Sequence, residues 1–141
     1  METRADRFTI RHYEPADYPM LEEWWEGHGA PPMHEDMIPV STCVVMMDGE
    51  PVASGSVFPC NNNFVAFFHG MVTRPGLGMR EARLALEALQ DGLDIIMRTG
   101  GHTLLLGTVP EGAMLRGAKI MGFSPTGGPV QGVGRFVKPL N

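Results

Sequence analysis

The stretch Met71-Val-Thr-Arg-Pro-Gly-Leu-Gly-Met-Arg80 holds residue types at a spacing that could bind an anion. An apolar run, Phe64-Val-Ala-Phe-Phe, enters it, and a long periodic segment, Met79 to Arg98, leaves it. A strand that ends in a glycine turn and feeds straight into a helix leaves backbone N–H groups without acceptors at the helix start. The positive end of the helix dipole lies behind them. Such an end is a ready seat for a phosphate. Gly76 and Gly78 allow close approach of backbone to ligand, and Arg74 and Arg80 add charge. The same glycines also suit an ordinary turn, so this motif alone leaves both readings open.

A second group lies nearer the N-terminus. His28 and His34 fall in the breaker-rich run Gly27-His-Gly-Ala-Pro-Pro-Met-His-Glu-Asp36, beside Trp24 and Trp25. This can be a substrate-facing loop with groups that titrate near neutral pH, or an exposed connection flanked by core indoles. Cys43 and Cys60 sit in or beside apolar segments and read as small reduced hydrophobes. A zinc site from Cys43, Cys60, His69 and His102 would lack the short paired spacing such sites use, and no metal is expected.

The elements that must hold these groups follow from periodicity. Phe8 to Tyr13 alternates as a half-buried strand, and Pro15 to Glu26 has Tyr18, Leu21 and Trp25 on one helical face. Thr42–Met47 and Pro51–Phe58 flank Asp48-Gly49, a pair that favours a tight antiparallel hairpin. Phe64–Val72 adds a third consecutive strand. The helix from Met79 to Arg98 shows an apolar stripe of Ala82, Leu86, Leu89, Leu93 and Ile96. Gly92 interrupts it at a propensity cost of up to about 1 kcal/mol. His102–Val109 then reads as a buried strand parallel to Phe64–Val72. A second helix opens at Pro110-Glu111 and ends at Gly122, with Phe123 folding back as in a Schellman cap. Pro129–Val137 supplies a last edge strand.

Composition bounds the rest. The chain has 141 residues and no repeat or linker, so residues 1–141 are expected to form a single domain. The formal net charge is -5, with Lys and Arg scattered, which argues against binding nucleic acid through its phosphates. No run approaches the roughly 18 apolar residues of a membrane span, and Met1–Arg7 lacks a signal-peptide core. A cytoplasmic location is therefore expected, with no membrane partner.

This order of elements resembles the GNAT superfamily of acyl-CoA-dependent N-acetyltransferases along nearly the whole chain. Phe8-Thr-Ile-Arg with Asp17 downstream is similar to that family's opening strand and helix, and Met114-Leu-Arg-Gly-Ala-Lys-Ile-Met-Gly-Phe123 to its helix ending in Gly-Phe. Leu21-Glu-Glu-Trp-Trp-Glu-Gly-His-Gly-Ala-Pro-Pro32 resembles short phage-encoded GNAT-like proteins. The resemblance implies an α+β (α/β) domain: a mixed, mostly antiparallel sheet, helices on both faces, and splayed fourth and fifth strands. Acetyl-CoA would lie in that wedge, its pantetheine on Met71, Val72 and Thr73 and its pyrophosphate on Gly76, Leu77, Gly78, Met79 and Arg80. The acceptor would be a small-molecule or protein amine, walled by Trp24, Trp25 and His28, and a homodimer is one arrangement left open. A phage origin would put the protein in the host cytoplasm.

The sequence also departs from that family. Thr73 stands where its Gln or Arg belongs, Pro75 removes one N–H donor, Ala118 replaces the usual Tyr acid, and Glu111 replaces the Asn opening that helix. The family's direct-attack chemistry then leaves His69 as first candidate for the base that takes the amine proton, and Glu111 as second. The alternative is a GNAT fold without catalysis, serving a phage or prophage as an interaction or structural protein.

Overall fold

A computed structural model describes residues 7–107 and 113–123. In chain order these form β1 (Phe8–His12), a 3-10 turn (Pro15–Asp17), α1 (Tyr18–Gly27) and a second 3-10 turn (Glu35–Met37). There follow β2 (Thr42–Met47), β3 (Glu50–Pro59), β4 (Val65–Thr73), α2 (Met79–Thr99), β5 (Leu104–Leu106) and α3 (Ala113–Ile120). Among the described residues the strands make one sheet in the order β1-β2-β3-β4-β5. All neighbours are antiparallel except β4 and β5, which run parallel through the α2 crossover. The fold is α+β, as the element order suggests. The expected strand Pro129–Val137 and the opening of the second helix at Pro110-Glu111 lie outside the described residues.

The β2–β3 hairpin turns at Asp48 and Gly49, whose φ angles of 51° and 85° are the left-handed pair a two-residue turn requires. The first helix starts later than the sequence suggests, for a physical reason. A helix begun at Pro15 would carry Pro19 in its interior, where the missing N–H breaks a helical bond. The chain instead makes a 3-10 turn on Pro15 and restarts at Tyr18, so that Pro19 falls in the first turn of α1. Asp17 fixes the junction: its carboxylate accepts from Arg11 through two contacts of 2.8 Å and from the Glu14 backbone N–H at 2.8 Å.

Two apolar clusters lie on opposite faces of the sheet. On one, Cys43, Val45, Val52, Ala53 and Val57 pack under Ala85, Ala88, Leu89 and Leu93 of α2. On the other, Leu21, Trp24 and Trp25 of α1 close over Val72 with Met33 and Phe58. The buried stripe of α2 is rotated from the expected one: Ala85, Ala88, Leu89, Gly92, Leu93 and Met97 are buried, whereas Ala82, Leu86 and Ile96 flank them. Small residues set that face. A methyl group added at Gly92 would lie 3.1 Å from Ile10 and 3.2 Å from the Cys43 sulfur, so the glycine lets the helix approach the sheet closely there. The Schellman cap of α3 forms as expected, with Gly122 at φ 87° and the Phe123 N–H donating to Ala118 O at 3.1 Å. Phe123 folds back so that its ring lies 4.6 Å from that of Phe68.

Candidate functional site

β4 changes phase halfway along its length. Val72 faces Ser54 but His69 faces Ser56, so Gly70 and Met71 together oppose the single residue Gly55. This is a bulge, with Gly70 at φ 71°. Ala66 lies in the cluster under α2, and Phe68 reaches Phe123 beside that cluster, leaving Phe67 and His69 on the opposite face. After the bulge Met71 packs toward α2 and Val72 toward α1.

β4 is also left open along one edge. β5 accompanies it only from Val65–Leu104 to Phe67–Leu106, and from Phe68 to Thr73 β4 has no β5 partner among the described residues. The rest of the expected fifth strand, residues 108–109, lies outside the described residues. The Arg74 N–H donates to Val52 O at 2.8 Å, so residue 74 turns its backbone toward β3. In an antiparallel ladder the adjacent residue turns the other way. Thr73 therefore presents its N–H and C=O on the side away from β3, where no strand pairs with it among the described residues. The C=O accepts from His28 Nε2 at 2.8 Å, which fixes that ring nitrogen as the protonated one.

The open edge runs directly into the glycine turn. Gly76 has φ 87°, a conformation that disfavours any side chain. Gly78 is the N-cap of α2, with ordinary extended backbone and no side chain capping the helix. The first-turn N–H groups of α2 thus lack a side-chain acceptor, as an anion seat requires. A methyl group added at Gly76 or Gly78 would meet nothing within 4 Å, so there is room above both. Met79 is 92% exposed and Arg80 is exposed without an ion pair among the described residues. Arg74, by contrast, is engaged: its Nη1 lies 3.1 Å from Glu50 Oε2.

The remaining candidates fall in different places. His69 is exposed on β4 opposite Ser56, and its side chain makes no hydrogen bond among the described residues. Trp24 and Trp25 are 5% and 6% exposed and form the apolar support of β4. The Trp25 ring lies 3.4 Å from where a Gly70 methyl would stand. His34 is exposed at the other end of the loop, where its Nδ1 accepts from the Asp36 N–H at 3.2 Å. Ala118 is buried and offers no acid, and Glu111 lies outside the described residues. Among the described residues no group of three or more His, Cys, Asp or Glu side chains could hold a metal ion. Cys43 is buried, and that burial pushes its thiol pKa up to about 12. No helix among the described residues is long and apolar enough to cross a membrane.

Two features were not legible in the sequence. The bulge at Gly70 leaves no local mark beyond a glycine in an apolar run. The His28 contact joins residues 45 positions apart.

The sheet order, the single parallel pair and the strand–glycine-turn–α2 element define the fold of the GNAT acetyltransferases. A GNAT-family acetyltransferase from Bacillus anthracis superposes with a TM-score of 0.62 at 15% identity, covering 86% of this chain and 82% of that one. Ard1 from Thermoplasma volcanium superposes at 0.67 and 18% identity, over 86% of this chain and 85% of that one. yncA from Salmonella typhimurium, solved with its cofactor acetyl-CoA, superposes at 0.59 and 16% identity, over 86% and 82%. At these identities the likeness is one of fold. By sequence, no family model and no curated protein matches the chain.

Proposed function

We propose that the protein is an N-acetyltransferase that moves an acetyl group from acetyl-CoA to an amine of a small molecule or protein. The observation that carries this reading is the open edge of β4 from Phe68 to Thr73, continuous with the uncapped start of α2 and the free space over Gly76 and Gly78. A strand edge with unpaired amide groups suits the amides of a pantetheine arm, and the helix start suits a pyrophosphate. That one similar fold was solved with acetyl-CoA supports the same choice of ligand.

When bound, the donor supplies a thioester carbonyl open to direct attack by an amine. The chain's own part is to position, to move a proton and to exclude water. Met71, Val72 and Thr73 would bind the pantetheine arm, and Gly76, Leu77, Gly78, Met79 and Arg80 the pyrophosphate. His69, exposed and without an internal partner, would take the proton that the acceptor amine loses. Trp24 and Trp25 would act from beneath, holding β4 in place.

A non-catalytic reading has its own support. Pro75 supplies no N–H, Arg74 is held by Glu50, and Ala118 cannot donate a proton. A GNAT fold serving a phage or prophage as an interaction or structural protein would show these features too.

Thermal unfolding with acetyl-CoA, CoA and ATP separates the two readings. Ligand at about 100 times its dissociation constant adds about 2.7 kcal/mol, a rise of several degrees for a domain of this size. A rise confined to the CoA compounds is the expected result. No shift with any of them at millimolar concentration would favour the non-catalytic reading.

A further inference from the structure

We propose that His28 is a positioning residue for the donor site: through the Thr73 carbonyl it holds the end of β4 and the turn into α2 in the conformation that receives the donor. This rests on the acetyl-CoA reading. His28 is exposed, so burial does not oblige it to find a partner, yet its Nε2 donates to Thr73 O at 2.8 Å. That carbonyl lies on the edge of β4 with no β5 partner among the described residues. It shares its peptide plane with the Arg74 N–H that donates to Val52 O at 2.8 Å, so His28 holds from the open side a peptide that β3 holds from the other. Thr73 O is the acceptor of the plane that leads into the turn, so fixing it fixes where the chain leaves β4 toward Pro75 and Gly76.

Two further contacts tie the same segments together. A methyl group at Gly27 would lie 2.6 Å from Pro75 Cγ, so the end of α1 sits directly against the turn. A methyl group at Gly70 would lie 2.5 Å from Met33 Sδ, so the loop after α1 presses on the bulge as well. α1 and its loop thus meet β4 and the turn at Gly70, Thr73 and Pro75. His28 is the polar contact of the three, and it acts on the last peptide of β4. Pro75 sharpens the need for it, since a turn short of one N–H depends more on the placement of the others.

The test compares the wild-type protein with His28→Ala and His28→Gln in two measurements: acetyl-CoA affinity, and amide exchange at Arg74 and at residues 76–78. In His28→Ala, affinity is expected to fall by about 3- to 10-fold, the size of one ordinary hydrogen bond, and the turn amides to exchange faster. His28→Gln, whose side-chain amide can donate over a similar reach, is expected to restore both. A merely structural role would lower the melting temperature in both variants without that recovery. Unchanged affinity and exchange in His28→Ala, with normal wild-type binding, would overturn the positioning role alone. Tighter binding in His28→Ala would overturn it too, by making His28 a competitor for the edge. Wild-type protein that binds no acetyl-CoA would overturn the donor reading, and the positioning role with it.

Discussion

Single side chains carry the sharpest chemical expectations. His69 is exposed on β4 with no side-chain partner among the described residues, and the proposed function gives it the role of proton acceptor. His69→Ala is expected to lower kcat by about 100-fold, the low end for a general base, while leaving the acetyl-CoA dissociation constant unchanged. Equal losses in both would assign it to binding instead. Cys43 gives a prediction in pH. Its thiol is pushed up to about 12 by burial, whereas an unfolded thiol titrates near 8.5. Above that value the unfolded chain holds fewer protons than the folded one, so stability must fall as pH rises. The slope is about 1.4 kcal/mol per pH unit between roughly 8.5 and 12. Denaturant titrations at pH 8 and pH 10 should show the fall in wild-type protein and a smaller one in Cys43→Ala; equal falls would remove Cys43 as its source. At this scale the sequence was legible where the reason is local. Cys43 reads as a buried hydrophobe from its apolar neighbours, but the proton donated by His28 depends on a strand end far along the chain.

Elements were legible wherever a short motif dictates a backbone angle. Asp48-Gly49 and Gly122-Phe123 state their turn and cap outright, because few other residues accept those φ angles. The stripe of α2 was less legible, since large apolar residues draw the eye while Ala85, Ala88 and Gly92 make the close contact. The start of α1 is not legible from the sequence because two prolines, Pro15 and Pro19, compete for one first turn. The glycine turn offers a matched pair of tests. Gly78 has ordinary extended backbone and empty space above it, so Gly78→Leu should fold with nearly the wild-type melting temperature and bind acetyl-CoA more weakly. Gly76 has the same space but φ 87°, so Gly76→Leu should also lose about 1–3 kcal/mol of stability from backbone strain. Gly78→Leu with unchanged affinity would remove the start of α2 from the donor site.

For the molecule as a whole, the sheet is the partition between two cores, and each side depends on it. Leu21 and Leu89 are 1% and 0% exposed in separate clusters, yet β4 contributes Val72 to one and Ala66 to the other. Leu21→Ala and Leu89→Ala should each cost about 2–5 kcal/mol and shift one shared unfolding transition. Two resolved transitions in calorimetry would show that the faces melt separately. The strand connectivity bears equally on how the chain reaches this state. β2, β3 and β4 follow one another through short turns, whereas β5 can pair with β4 only after α2 has closed a long crossover. Loop-closure entropy makes such non-local pairings late events. Pulse-labelled refolding should protect β2 and β3 amides first and those of β5 last. The parallel pair is the last to close, so a chain caught part-way would hold a finished meander whose β4 edge is bare along its whole length.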